Sequence, residues 1–143
     1  FDEDLQSLVS DAQAHTLVDV YELGEMEVVC KTGQSPRAKV EVKIRGKSVS
    51  ADATGSGPVD ATFKAIESLV HSGSHLQLYS VNAITQGTDS LGDVTVRLEH
   101  DGQIVNGVGA DTDIVTASAK AYLHALNLLS AHAAKAHPQR DGI

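Results

Sequence analysis

The feature that most constrains this chain is an internal duplication without a gap. Gly46-Lys47-Ser48-Val49 and Gly102-Gln103-Ile104-Val105 open two stretches 56 residues apart. The register then holds through Val59 and Val115, Ala61 and Ala117, Lys64 and Lys120, and Ala65 and Ala121. Upstream it takes in Val40 with Val96 and Val42 with Leu98. A single offset across what reads as strand, turn and helix indicates one supersecondary unit copied once. Two copies are too few for a solenoid and predict one domain with pseudo-twofold symmetry.

Each copy can be read for local structure. Ala38, Val40, Val42 and Ile44 alternate with Arg37, Lys39, Glu41, Lys43 and Arg45, the pattern of a half-buried antiparallel strand. Arg45-Gly46-Lys47 is a tight turn, and Val49, Ala51 and Ala53 form the inner face of the returning strand. The turn Thr54-Gly55-Ser56-Gly57-Pro58 opens a helix, because proline is tolerated in a first turn where its missing N–H is no loss. Val59, Phe63, Ile66, Leu69 and Val70 give that helix one apolar face, and Gly73 is expected to stop it. Ahead of this unit His15–Thr32 reads as a strand with a bulge or bend near Gly24.

The second copy repeats the plan. Leu76 to Thr85 and Val94 to Leu98 are strands, and Asp101-Gly102 is a hairpin signal. Gly107 and Gly109 read as part of a glycine-rich turn. Asp111, Thr112 and Asp113 then cap a helix with a broad apolar surface, from Ile114 and Val115 to Leu126 and Leu129. The fold class is α+β: duplicated βββα units, about 15–73 and 74–131, with helices packed on antiparallel sheet. Residues 1–14 read as a connector helix, 15–137 as the domain, and 138–143 as a fraying tail.

Composition excludes several classes of function. At 143 residues with 41% apolar side chains the chain can bury a core, but only 3% are aromatic and Trp is absent. The core must be Val, Leu, Ile and Ala. A net charge of −8 lacks the basic footprint that nucleic acid requires. No apolar run reaches the roughly 18–20 residues of a membrane span. The acidic start FDEDLQSL does not fit a signal peptide, and Cys30, alone, points to a reducing compartment. The only methionine is Met26, so the chain reads as a piece of a longer protein.

Chemical motifs are weak. Gly55-Ser56-Gly57 and Gly107-Val108-Gly109 lack the spacing of phosphate loops, and a turn role explains them more simply. A helix N-terminus still offers N–H groups that suit a carboxylate. Asp111 and Asp113 are read as caps in preference to metal ligands or an acid/base pair. His71 and His75 have zinc-pair spacing, but Gly73 between them breaks the helix, and His132 and His137 stand without a carboxylate or thiol cluster. No catalytic residue and no metal site is assigned.

Three segments carry a resemblance. TGSGPVDATFKAI (Thr54–Ile66), YSVNAITQGTDSLGDVTVRL (Tyr79–Leu98) and GVGADTDIVTASAKAYLHALN (Gly107–Asn127) resemble, in the same order, the C-terminal regulatory domain of the α-isopropylmalate synthase family. The likeness runs from about His15 onward. It implies a duplicated βββα dimer that binds leucine near the dimer interface and inhibits a distant catalytic site. It also implies a TIM-barrel catalytic part, outside this chain, that condenses acetyl-CoA with 2-oxoisovalerate using a divalent metal. This chain itself would need no cofactor.

Residue by residue, the resemblance implies an effector pocket at Val59, Leu76, Tyr79, Ala83, Ser90, Gly92 and Ile114. Ser90 and Gly92 stand where the family carries alanines. The helix N-terminal turns, Gly55 and Gly57 in one copy and Asp111 and Asp113 in the other, would meet the amino acid's charged groups. L-leucine, a second copy and the catalytic barrel are the expected partners, and the cytoplasm the expected location. Two alternatives stay open: an isoleucine-sensing domain of a citramalate synthase, and a purely structural dimerisation module.

Overall fold

The structure is a computed structural model, and it describes residues 20–84 and 91–141. The connector helix expected over 1–14 and the start of the strand expected from His15 lie outside them. Six strands and two helices follow in the order β1 (Tyr21–Val29), β2 (Arg37–Ile44), β3 (Lys47–Thr54), α1 (Pro58–Val70), β4 (His75–Ile84), β5 (Gly92–His100), β6 (Gln103–Asp111) and α2 (Ile114–Asp141). β1-β2-β3 and β4-β5-β6 are separate antiparallel sheets. The fold is α+β, two βββα units as the duplication predicts.

The repeat is kept in backbone detail. Arg45 and Gly46, with φ of 54° and 85°, turn β2 into β3, and Asp101 and Gly102, at 52° and 81°, turn β5 into β6. Consecutive positive φ values match the twist of a two-residue hairpin, which is why glycine stands second in both. Both helices also start 56 residues apart, at Pro58 and Ile114. Thr62 and Ser118, also 56 apart, each donate a hydroxyl hydrogen bond to the carbonyl four residues back, Pro58 at 2.8 Å and Ile114 at 2.7 Å. The bend expected near Gly24 is present as a register shift between Leu23 and Met26 in the β1–β2 ladder.

Two expectations are corrected. Gly107 and Gly109 lie inside β6 and not in a turn. There α2 crosses so closely that a Cβ on Gly109 would stand 2.5 Å from the Ala117 carbonyl and 2.6 Å from the Ala121 nitrogen. Glycine serves helix–sheet contact here, not chain reversal. Likewise Gly73 does not stop α1. That helix ends at Val70, and His71 takes the left-handed conformation (φ 51°) while its N–H still reaches the Glu67 carbonyl at 2.8 Å. The reason lies in the Glu67 side chain, which accepts the next N–H groups, Ser72 at 2.7 Å and Gly73 at 3.2 Å. At the other end of the chain, α2 continues as helix past Pro138 to Asp141.

One core joins the two units. Ala38, Val40 and Val42 from β2, Val94, Val96 and Leu98 from β5, and Ala61, Ala65 and Ile66 from α1 are fully buried with Ala117, Ala121 and Ala125 of α2. The Tyr122 ring lies 4.6 Å from that of Phe63. Its hydroxyl donates to the Glu67 carboxylate at 2.8 Å. Burial first, and then the Glu67 charge, hold the Tyr122 phenol well above the ordinary 10.0. Because its folded value is raised, its contribution to stability is present below pH 10 and is lost as pH climbs past it. Tyr122→Phe should therefore flatten the alkaline fall in melting temperature, leaving the smaller part due to Tyr21, whose phenol burial also raises. Melts from neutral pH to pH above 10 read this directly. An unchanged alkaline slope in the variant would contradict it. Among the described residues no helix is long and apolar enough to cross a membrane.

Candidate functional site

The N-terminal end of α2 carries three of the sequence-assigned positions, Asp111, Asp113 and Ile114. Asp113 caps that end, its carboxylate accepting the Thr116 N–H at 3.2 Å, the Thr116 hydroxyl at 2.8 Å and, more distantly, the Val115 N–H at 3.4 Å. This is what an aspartate before a helix does for otherwise unpaired N–H groups. Asp111 is held by the Lys120 ammonium at 2.8 Å and by the Asp113 N–H at 3.1 Å. The Lys120 hydrogen bond and the Asp113 N–H keep the Asp111 carboxyl below the usual range. Asp113 is thus the cap, whereas Asp111, expected to cap as well, reaches no helix N–H because Lys120 and the Asp113 N–H hold its carboxylate. With Asp113 on its first N–H groups, the second helix N-terminus has little left for an outside carboxylate.

The first helix N-terminus is different. Gly57 stands at its cap with no side-chain hydrogen bond, and Pro58 follows. Asp60 reaches back to the Ser56 N–H at 2.9 Å and pairs with Lys64 at 3.2 Å, and the Ser56 N–H leads the causes that lower its carboxyl. Gly55 is needed for space: a Cβ there would come within 2.5 Å of the Ala61 nitrogen.

Above the Asp113 cap, Ile114 lays its side chain on the bare backbone of buried Gly92, where an added Cβ would overlap it. One turn later the hydroxyls of Ser118 and Tyr79 stand 2.8 Å apart. Ser118 has one hydroxyl hydrogen, and it is directed to the Ile114 carbonyl. Tyr79 must then be the donor between the two, which leaves its oxygen able to accept a further bond. The Tyr79 ring also meets Phe63 of α1 edge-on, centroids 5.9 Å apart. Phe63 is one turn beyond Val59 on the same helix.

The structure thus brings Tyr79, Gly92 and Ile114 together and links them to α1 through Phe63. Leu76 sits farther along β4, opposite Leu98, and is 47% exposed. Ala83 pairs in register with Asp93, next to Ile84 with Gly92, past a bulge after Val81. Ser90 lies outside the described residues. Val59 is half-buried against the core at the start of α1.

Sequence reasoning missed Ser118 and Phe63. The signal for Ser118 was there: it is the repeat partner of Thr62, and the first unit has Leu23 where the second has Tyr79. A tyrosine–serine pair in one copy only marks the position where the copies diverged. Chemically the arrangement sets apolar side chains beside two hydroxyls and a helix terminus, groups that suit a small amphiphilic ligand. Among the described residues no group of three or more His, Cys, Asp or Glu converges to hold a metal. His71 follows α1 while His75 opens β4, so the two do not share a helix face.

The chain matches the family model of the LeuA allosteric (dimerisation) domain over residues 1–130. It is 60% identical over 139 residues to the 2-isopropylmalate synthase of Thiobacillus denitrificans, covering 97% of this chain and 27% of that protein. Identity to the 2-isopropylmalate synthase of Nitrosospira multiformis is 58% over 139 residues, again 97% and 27%. For that of Chromobacterium violaceum it is 56% over 130 residues, 91% and 25%. The chain therefore spans about a quarter of the length of these relatives.

Proposed function

The chain belongs to the family of LeuA allosteric (dimerisation) domains, and from that premise we propose that it senses leucine for feedback inhibition of a 2-isopropylmalate synthase in the cytoplasm. The observation that carries the reading is the cluster at the start of α2, where Ile114 lies on Gly92 and Ser118 holds Tyr79, so that apolar side chains adjoin a phenol oxygen with acceptor capacity. A branched aliphatic side chain suits the former. The ammonium group of an amino acid suits the latter. The uncapped N-terminus of α1 at Gly57 is the better seat for the carboxylate, since Asp113 occupies the N–H groups of α2.

The condensation of acetyl-CoA with 2-oxoisovalerate, and the divalent metal it uses, belong on this reading to a catalytic part outside these 143 residues. Dimerisation goes with the family. It is supported by exposed apolar side chains on the second unit, Leu76 at 47%, Val81 at 42%, Leu91 at 41% and Ile104 at 56%, which a partner surface would cover.

Ala83→Phe tests the site. It puts a ring at the β4 position that pairs in register with Asp93, and should abolish the rise in melting temperature that leucine gives the parent. For the parent that rise corresponds to about 2.7 kcal/mol when free leucine is a hundredfold above its dissociation constant. Sedimentation must find the variant as dimeric as the parent, and Lys43→Ala, on the far sheet, should leave the rise intact. A folded Ala83→Phe dimer that still responds fully to leucine would put the site elsewhere.

A further inference from the structure

Helix α2 connects the candidate site to the start of β1. At its N-terminal end Ile114 and Ser118 hold Gly92 and Tyr79. Thirteen residues later, about 20 Å along the axis at the usual helical rise, Asn127 faces the start of β1. Its Oδ1 accepts the N–H of Val20 at 3.1 Å and of Tyr21 at 2.8 Å, and its Nδ2 donates to the Tyr21 carbonyl at 2.9 Å. One amide side chain thus supplies both kinds of hydrogen bond that a neighbouring strand would give. Asn127 is 7% exposed, so water is a poor substitute for these bonds.

Between these ends α2 has little freedom to absorb a displacement. It lies backbone-to-backbone on Gly107 and Gly109, without the flexible side chains that usually cushion a helix on a sheet. Tyr122 pins its middle to Glu67, at the junction between the two units. A ligand that seats against Ile114 and Tyr79 therefore biases the position of the whole helix, and with it the Asn127 amide.

We propose that Asn127 is a positioning residue that couples occupancy of the effector site at the N-terminal end of α2 to the ordering of the chain at Val20 and Tyr21. The proposal rests on the leucine-sensing reading above and adds to it the route of regulation. Coupling between two sites is reciprocal. If leucine strengthens the Asn127 contact by some factor, the intact contact must strengthen leucine binding by the same factor. A merely structural asparagine would not produce two matching numbers.

The test uses the 143-residue chain with two readouts. Amide hydrogen exchange is measured at Val20 and Tyr21 with and without saturating leucine, and the leucine dissociation constant is measured for parent and Asn127→Leu. Leucine should slow exchange at both amides in the parent by a factor between about 5 and 150. Asn127→Leu should weaken leucine binding by that same factor and make exchange at those amides insensitive to leucine. Should Asn127→Leu fold too poorly to measure, Asn127→Asp keeps the acceptor for both N–H groups and loses the donation to Tyr21. Its smaller pair of changes must still match. Leucine binding that leaves Val20 and Tyr21 unchanged in the parent, or parental affinity in Asn127→Leu, overturns the coupling alone. A folded parent that binds no leucine overturns the sensing reading and the proposal with it.

Discussion

Gly107→Ala should destabilise the domain by about 3 kcal/mol or more, although it adds a single methyl group. The added Cβ would run into the Ala121 carbonyl and the Ala125 nitrogen, and would stand 2.8 Å from the Ala125 Cβ. Two of these partners are helix backbone, which cannot rotate away as a side chain can. The helix must lift from β6, and Gly109 beneath the previous turn resists a local adjustment. Overpacking costs typically about 1–3 kcal/mol and occasionally more. The opposing gain from removing a strand glycine, about 0.5–1 kcal/mol, is too small to reverse the sign. Gly33→Ala makes the contrast. It has nothing within 4 Å but a φ of 81°, so it should cost only the left-handed strain of about 1–2 kcal/mol. Urea midpoints compared across the two variants decide the matter. A Gly107→Ala domain as stable as the parent would mean that α2 does not press on β6 as described.

Ile66→Ala should cost about 2–5 kcal/mol, the usual range for emptying a fully buried aliphatic site. Its more informative consequence concerns the second unit. Ile66 belongs to α1, yet the core it fills is shared with α2 and β5, and Phe63–Tyr122 and Tyr122–Glu67 tie the helices together. The halves should therefore unfold in one transition despite their separate sheets. Exchange protection in β5 should fall as far as in β2 when the variant is compared with the parent. If β5 kept its full protection while β2 lost its own, the two units would be independent and the shared core unimportant.

Much of this fold was legible from the repeat. The hairpin glycines, the two helix starts and the irregularity at Gly24 are local events with local residue signatures, so they survive in the sequence. Gly107 and Gly109 were not legible as strand residues. Glycine marks a reversal and a close approach alike, and only the position of α2 distinguishes the two. His71 in the left-handed conformation was hidden for a related reason: Glu67 supports the turn from four residues away, which frees the helix from needing glycine at its end.

The candidate site was legible in part. Tyr79, Gly92 and Ile114 came from resemblance, and Ile114 lies on Gly92 while Ser118 joins it to Tyr79. Ser118 was discoverable by asking where the two copies differ. Asn127 was not, because its partners Val20 and Tyr21 lie more than a hundred residues away and no periodicity links them. Asp113 caps α2 as assigned, whereas Asp111 does not, because its carboxylate is taken by the Asp113 N–H and Lys120.

The central claim, that this domain is an amino-acid sensor, is tested most directly by calorimetric titration of the chain with leucine, isoleucine and valine in parallel. The account predicts saturable binding heat for leucine that exceeds in affinity that for both others. The margin over valine should be modest, because one methylene in an apolar pocket is worth about 1–3 kcal/mol. Tighter binding of isoleucine would instead assign the domain to the isoleucine-sensing class. A chain shown to be folded and dimeric that gives no heat with any of the three would contradict the account and leave a dimerisation module alone.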